Sequence, residues 1–377
     1  MSALYNALNI KLKRLSKERV IASFKTALAC LIGLIIGELL HLSMPQWVLI
    51  TIVVVMATTI RIGGTIQKSY FHLLGPLIGA VLAAGTLYLL GDQPTIIHIL
   101  LILLLAVFSY LASSSSDISQ FGLLGATTMV MILDARTPTL KTALDRTLEI
   151  FLGIVIAILV TRFIFPAHAK KLLRFSIANT IKQFQALYKL FVTHKLTKES
   201  LAEQEKIENN IITDVSKQHT LLQEAVNEDP RVKKYRLTYQ AIFLLERKLL
   251  RSIYMLRQTI LTESVQIHDF FQNQDIIKLN QQIVDLFDFI HAICSKQTPA
   301  VMPPSKEELY ESIEKIIQSL SESKGPTYRI INIHAFEFCL EHLVNVLYEI
   351  EKLVQKLDSK HDNQHNIKTP ATHNKPA

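Results

Sequence analysis

The sequence predicts an all-α protein: a six-span transmembrane bundle of two inverted three-helix repeats, followed by a cytoplasmic helical bundle. Three observations predict it. Six apolar segments occupy the chain up to Pro166, separated by turn-forming clusters. A shift of 74 residues lays the first three segments on the last three. The rest of the chain is rich in Lys, Glu, Gln and Leu at helical spacing. The mean hydropathy of +0.27 averages these two unlike halves. The predicted boundaries are 1–19 for a basic cytoplasmic segment and 20–166 for the membrane domain, with repeats at about 20–90 and 94–164. A cytoplasmic helical domain follows at 167–358, and a disordered tail at 359–377.

The six segments are 20–42, 47–60, 70–90, 96–112, 121–133 and 148–165. The first, third, fourth and sixth are long enough to span. The second and fifth are short: 47–60 makes a helix of about 21 Å against a bilayer core of about 30 Å. Met44-Pro45, Gly63-Gly64, Gly91 to Pro94, Ser113 to Ser116 and Pro138 supply the breaks. On the 74-residue shift Trp47 falls on Phe121, His72 on Arg146, Gly79 on Gly153 and Ala83 on Ala157, and both short segments fall mid-triplet. Three spans per repeat is odd, so the second copy enters the bilayer inverted. Short, interrupted segments at matching places in inverted repeats point to a transport path. A truncated helix is tolerated where its freed backbone groups line a wet cavity. A short helix in a locally thinned bilayer is the alternative.

The formal charge is +8 at pH 7. Lys11, Lys13, Arg14, Lys17 and Arg19 precede the first span, which places the N-terminus inside. Arg61, Lys68, Arg162, Lys170, Lys171 and Arg174 then fall on the same side, so both termini are expected in the cytoplasm. A basic cluster beside a span marks orientation and the lipid surface; nucleic acid is not an expected partner. Cys30, Cys294 and Cys339 are far apart and suggest neither disulfides nor a zinc site, so no metal is expected. The start does not read as a cleavable signal peptide. No phosphate-binding loop, nucleotide fingerprint or nucleophile motif occurs, so no cofactor and no enzymatic activity are expected.

The candidate site residues follow from the repeat. Arg61, with Gly63 and Gly64, closes the second segment on the inner side, and Lys68 and His72 begin the third. Arg136 follows the fifth on the outer side, and Lys141 and Arg146 begin the sixth. A cationic group at each mouth lowers the barrier for an anion between them. Arginine adds bidentate recognition of carboxylates, and glycine allows close approach. Snorkelling to headgroups is the ordinary role of such end positions, and the better reading of Arg162. Thr58 and Thr128, beside Thr51, Thr59 and Thr127, bring hydroxyls to the short segments; bonding back to their own helix is the usual use. Glu38 and Glu149 are the candidates for proton coupling, because a carboxylate inside a membrane is costly. Glu149 also shares a helix face with Arg146 and can serve as its partner. Trp47, the only Trp, stands where an interfacial anchor would.

The stretch "WVLITIVVVMATTIRIGGTIQKSYFHLLGPLIGAVLAAG" resembles the core motif of the fusaric acid resistance and aromatic acid exporter superfamily. "LDRTLEIFLGIVIAILVTRFIFP" resembles its sixth span, with Arg146, Gly153 and Pro166 in place. The resemblance covers roughly 20–170. It implies export of aromatic or other carboxylates, or drug-like anions, across a bacterial inner membrane. A related plant branch comprises aluminium-activated malate channels with the same six-span layout. His72 stands where the family usually has Arg, Pro76 where it often has Thr, and one six-span unit stands where many members carry two. The expectation is an inner-membrane exporter of small organic anions in the lipid bilayer. A passive anion channel and a non-transporting scaffold, whose helical domain binds a partner, are the alternatives. Six spans enclose little room, which favours a homodimer.

In the second half, "PSKEEL" offers Ser305 and Glu308 as a capping box. Asn227 to Pro230, Pro299 to Pro304 and Lys324 to Pro326 break helices. Phe336, Leu340, Leu343, Leu347, Ile350, Val354 and Leu357 form an a/d seam, for a bundle or for a second subunit.

Overall fold

The computed structural model describes residues 17–57, 61–91, 93–114, 118–134, 140–192, 198–261, 274–322 and 328–362. Among them every regular element is a helix. The described residues form two compact units. One holds the residues up to Ala169 together with Gln223–Glu228, and the other holds Lys170–Leu222 and the residues from Asp229 on.

The first unit contains α1 (Lys17–Leu39), α2 (Gln46–Met56), α3 (Ile62–Leu90), α4 (Pro94–Ala112), α5 (Ile118–Leu133) and α6 (Leu140–Phe163). Prolines set two of the starts. Pro45 is the N-cap of α2, and Pro94 opens α4, where its missing N–H costs nothing. Arg61 is extended at φ −103°, ψ 146°, which separates α2 from α3. Pro76 lies inside α3 without ending it. Arg19–Leu39, α3 and α4 are long and apolar enough to cross a membrane; α2 and α5 are apolar but shorter. The sixth segment was expected to span as well. Its 24 residues suffice in length, but Lys141, Asp145, Arg146, Glu149 and Arg162 make α6 more charged than those three.

Two apolar cores organise this unit. Ala29, Val48, Ile52, Val55, Ile150, Ile154 and Ala157 join α1, α2 and α6. Ala80, Ala83, Ile97, Leu101, Phe108, Met129 and Ile132 join α3, α4 and α5. Each core thus takes its third helix from the other half of the sequence. Glycines permit the crossings. A Cβ on Gly79 would stand 2.6 Å from the Gly125 carbonyl oxygen. One on Gly153 would stand 2.8 Å from the Val48 carbonyl oxygen and 2.8 Å from the Thr51 Cβ. The two pairs, Gly79 with Gly125 and Thr51 with Gly153, are related by the 74-residue shift. Outward-facing Ile102, Leu103 and Val107 of α4 are exposed, a surface that suits hydrocarbon rather than water.

The second unit is built from α7 (Ala169–Val192), α8 (Lys198–Glu228), α9 (Pro230–Lys234), α10 (Arg236–Leu261), α11 (Gln274–Ser295), α12 (Lys306–Glu322) and α13 (Tyr328–Asp362). The last residues of α8 belong to the first unit. The capping box forms: the Glu308 N–H donates to Ser305 Oγ at 3.1 Å, and the Ser305 N–H to Glu308 Oε2 at 3.2 Å. Leu340, Leu343, Leu347, Ile350, Val354 and Leu357 are buried, and α13 packs on α10, α11 and α12 of the same chain. Arg174 donates to the Ile293 carbonyl at 3.1 Å and to Asp358 at 2.9 Å, so a cation sits at the C-terminal end of α11. α13 continues to Asp362, past the expected start of the tail at 359; 363–377 lie outside the described residues.

Candidate anion site in the membrane unit

The N-terminal half of α6 meets the turn between α1 and α2. Pro45 starts α2, so the N–H groups just before it have no partner within the helix. The Met44 N–H donates to Glu149 Oε1 at 2.7 Å, and Ser43 Oγ donates to Asp145 Oδ2 at 2.9 Å. One turn inward, the Arg146 guanidinium carbon lies 4.0 Å from the centre of the Trp47 ring. Arg146 Nη1 touches Met131 Sδ. Arg146 is 4% exposed and Glu149 2%. Arg146 Nε and Nη2 and Glu149 Oε2 are buried without a hydrogen-bond partner among the described residues. Glu149 lies three residues after Arg146 on the same helix, as expected, and gives one carboxylate oxygen to the Met44 N–H, which needed an acceptor.

At the other end of α2, about 16 Å along the helix, Arg61 stands before the first turn of α3. It makes a two-point ion pair with Glu224, through Nε to Oε2 and through Nη2 to Oε1 at 3.0 Å. Gly63 is required there, because the Glu224 carbonyl occupies the place a Cβ would take. Asn227 Nδ2 donates to Gln67 Oε1 at 2.9 Å, and the Ala169 N–H to Glu228 Oε2 at 2.8 Å. The segment Gln223–Glu228 is therefore fixed to the start of α3 and the start of α7 within the first unit.

The other candidates divide. Gly64 is buried beside Gly63, and Lys68 is half-buried on α3. His72 is 1% exposed, and its Nδ1 has no hydrogen-bond partner. Thr128 is buried, and its hydroxyl donates back to the Leu124 carbonyl at 2.8 Å, the ordinary use of such a residue. Glu38 is exposed near the end of α1. Thr58 and Arg136 lie outside the described residues. Lys141 is on α6, with its side chain outside the described set. Arg162 is exposed.

Residues 19–376 match the family model of the fusaric acid resistance protein family. The chain belongs to that family. YeeA, an inner membrane protein of Escherichia coli strain K12, is 23% identical over 313 residues, covering 80% of this chain and 84% of its own. This member of the fusaric acid resistance family is accordingly a membrane transport or resistance protein. Two features of its site went unpredicted. Glu224 lies in a helical stretch with no local mark of function; only the fold brings it to Arg61. Trp47 was read as a lipid anchor, and the family member also sets its ring against a buried cation.

Proposed function

We propose that this protein is an inner-membrane exporter of organic anions, with aromatic carboxylates as the favoured class. The observation that carries this reading is Arg146, buried with two nitrogens that no group among the described residues satisfies. Burying an unpaired charge is costly, and a carboxylate accepting from both nitrogens offsets that cost. The Trp47 ring attracts the cation without using its N–H groups. Met131 and Trp47 present apolar surface beside the guanidinium. Glu149, with one oxygen unpartnered, is the residue placed to carry a proton.

The six-span inverted layout is part of this reading. It is supported by the two glycine crossings at the 74-residue shift and by the exchange of the third helix between the two cores. Both termini are assigned to the cytoplasm from the basic residues, and the working form to a homodimer.

The test is flux of a labelled aromatic carboxylate into proteoliposomes. Arg146→Ala is expected to lower the rate at least tenfold, with Arg146→Lys intermediate. Acceleration by an imposed proton gradient supports coupling through Glu149, and no response to the gradient supports a passive channel. Wild-type flux in Arg146→Ala overturns the reading.

A further inference from the structure

Arg61 is half-exposed, with 29% of its side chain open, whereas its partner Glu224 is 8% open. Solute can reach the cation, while the carboxylate that holds it is covered. That carboxylate belongs to a short piece of helix set apart from the rest of α8. Residues to Leu222 and from Asp229 on belong to the second unit, but Gln223–Glu228 belong to the first. The fit of this piece on α3 is close: the Glu224 backbone rests on Gly63, and Asn227 bonds Gln67. Gly63 lets the Glu224 backbone come close enough for its carboxylate to make both contacts with Arg61.

We infer that Arg61 is a second carboxylate site of the transport path, and that Glu224 is a tethered anion occupying it until a substrate carboxylate displaces it. The inference rests on the reading of the protein as an organic-anion transporter. The ligand class is a monocarboxylate able to make the same two contacts with the guanidinium. Exchange of one carboxylate for another keeps the arginine paired throughout, which avoids the cost of an unpaired charge at the entrance.

Two measurements on the full-length protein test it. In a variant with Cys30, Cys294 and Cys339 replaced by Ser, Gln67→Cys and Asn227→Cys are joined by a short bis-methanethiosulfonate linker. Carboxylate flux should fall at least tenfold on linking and return on reduction. Unchanged flux in the linked protein overturns the inference. The second measurement is equilibrium binding of 2-naphthoate in detergent. Glu224→Gln should bind at least fivefold more tightly than wild type, and Glu224→Gln with Arg61→Ala should lose that gain. Equal or weaker binding by Glu224→Gln means that the pair is structural, and the inference fails. Loss of flux in every form with the binding pattern intact would instead overturn the transport reading and leave the competing site standing.

Discussion

Trp47 at the start of α2 and Arg146 in the first half of α6 form a cation–ring pair, 4.0 Å from guanidinium carbon to ring centre. Since Trp47 is the only tryptophan in the chain, its fluorescence reports on that pair alone. Titration with a non-fluorescent aliphatic carboxylate should change the emission saturably in wild type and leave it flat in Arg146→Ala. A flat response in wild type would separate Arg146 from ligand binding.

The glycine crossings predict a contrast. Gly79→Ala and Gly153→Ala drive a methyl into backbone less than 3 Å away, and should each cost about 1–3 kcal/mol. Gly85 on the same α3 has open space where a Cβ would go. Gly85→Ala should be neutral or stabilise by up to about 1 kcal/mol. Thermal unfolding in detergent distinguishes them, and equal effects at Gly79 and Gly85 would contradict the crossing.

Glu246 is fully buried in the second unit. Burial pushes its carboxyl up to about 8 against the pull of Gln218, whose Nε2 donates to it at 3.2 Å. The folded form keeps its proton above the ordinary range near 4.5, so stability is greatest below that range. It falls as pH rises to about 8, by at most about 1.4 kcal/mol per pH unit, and then levels. Amide exchange of α10 in the full chain, corrected for the intrinsic rate, should show this slope. Glu246→Gln should remove it.

Asp229 has the opposite sign. Burial raises its carboxyl, but hydrogen bonds from the Arg231 side chain and N–H and from Lys170 prevail and bring it down to about 2. Its stabilisation is present above the ordinary carboxylate range near 4 and lost as pH falls toward 2. Asp229→Asn should flatten the acid limb of unfolding monitored at α9. An unchanged limb would mean that the pairing is worth nothing in solution.

Ser305→Ala removes half of the capping box and should destabilise the start of α12 by about 1 kcal/mol. Local amide exchange at 306–309 checks it.

The helices were legible because apolar periodicity and prolines are local properties. The short segments 47–60 and 121–133 reappear as α2 and α5, and Pro45, Pro94 and the Ser305 box open helices where expected. Among the site residues, Arg146 was legible as a cation in a span. Its burial against Trp47 was not, because a ring–cation contact across about a hundred residues leaves no trace in either neighbourhood. Thr128 was legible in its ordinary role for a local reason: a helical hydroxyl satisfies itself on the carbonyl four residues back.

By itself, the sequence determined that this protein is helical and membrane-bound, that two of its apolar stretches are short, and that cations follow them. Those follow from hydropathy and spacing, which act over a few residues. Only the tertiary structure decided where two of those cations end: Arg61 receives Glu224 from a distant helix, while Arg146 is buried with two nitrogens unmatched among the described residues. Pairing of charges depends on which backbones can approach, and here glycines at 63, 79, 125 and 153 set that approach.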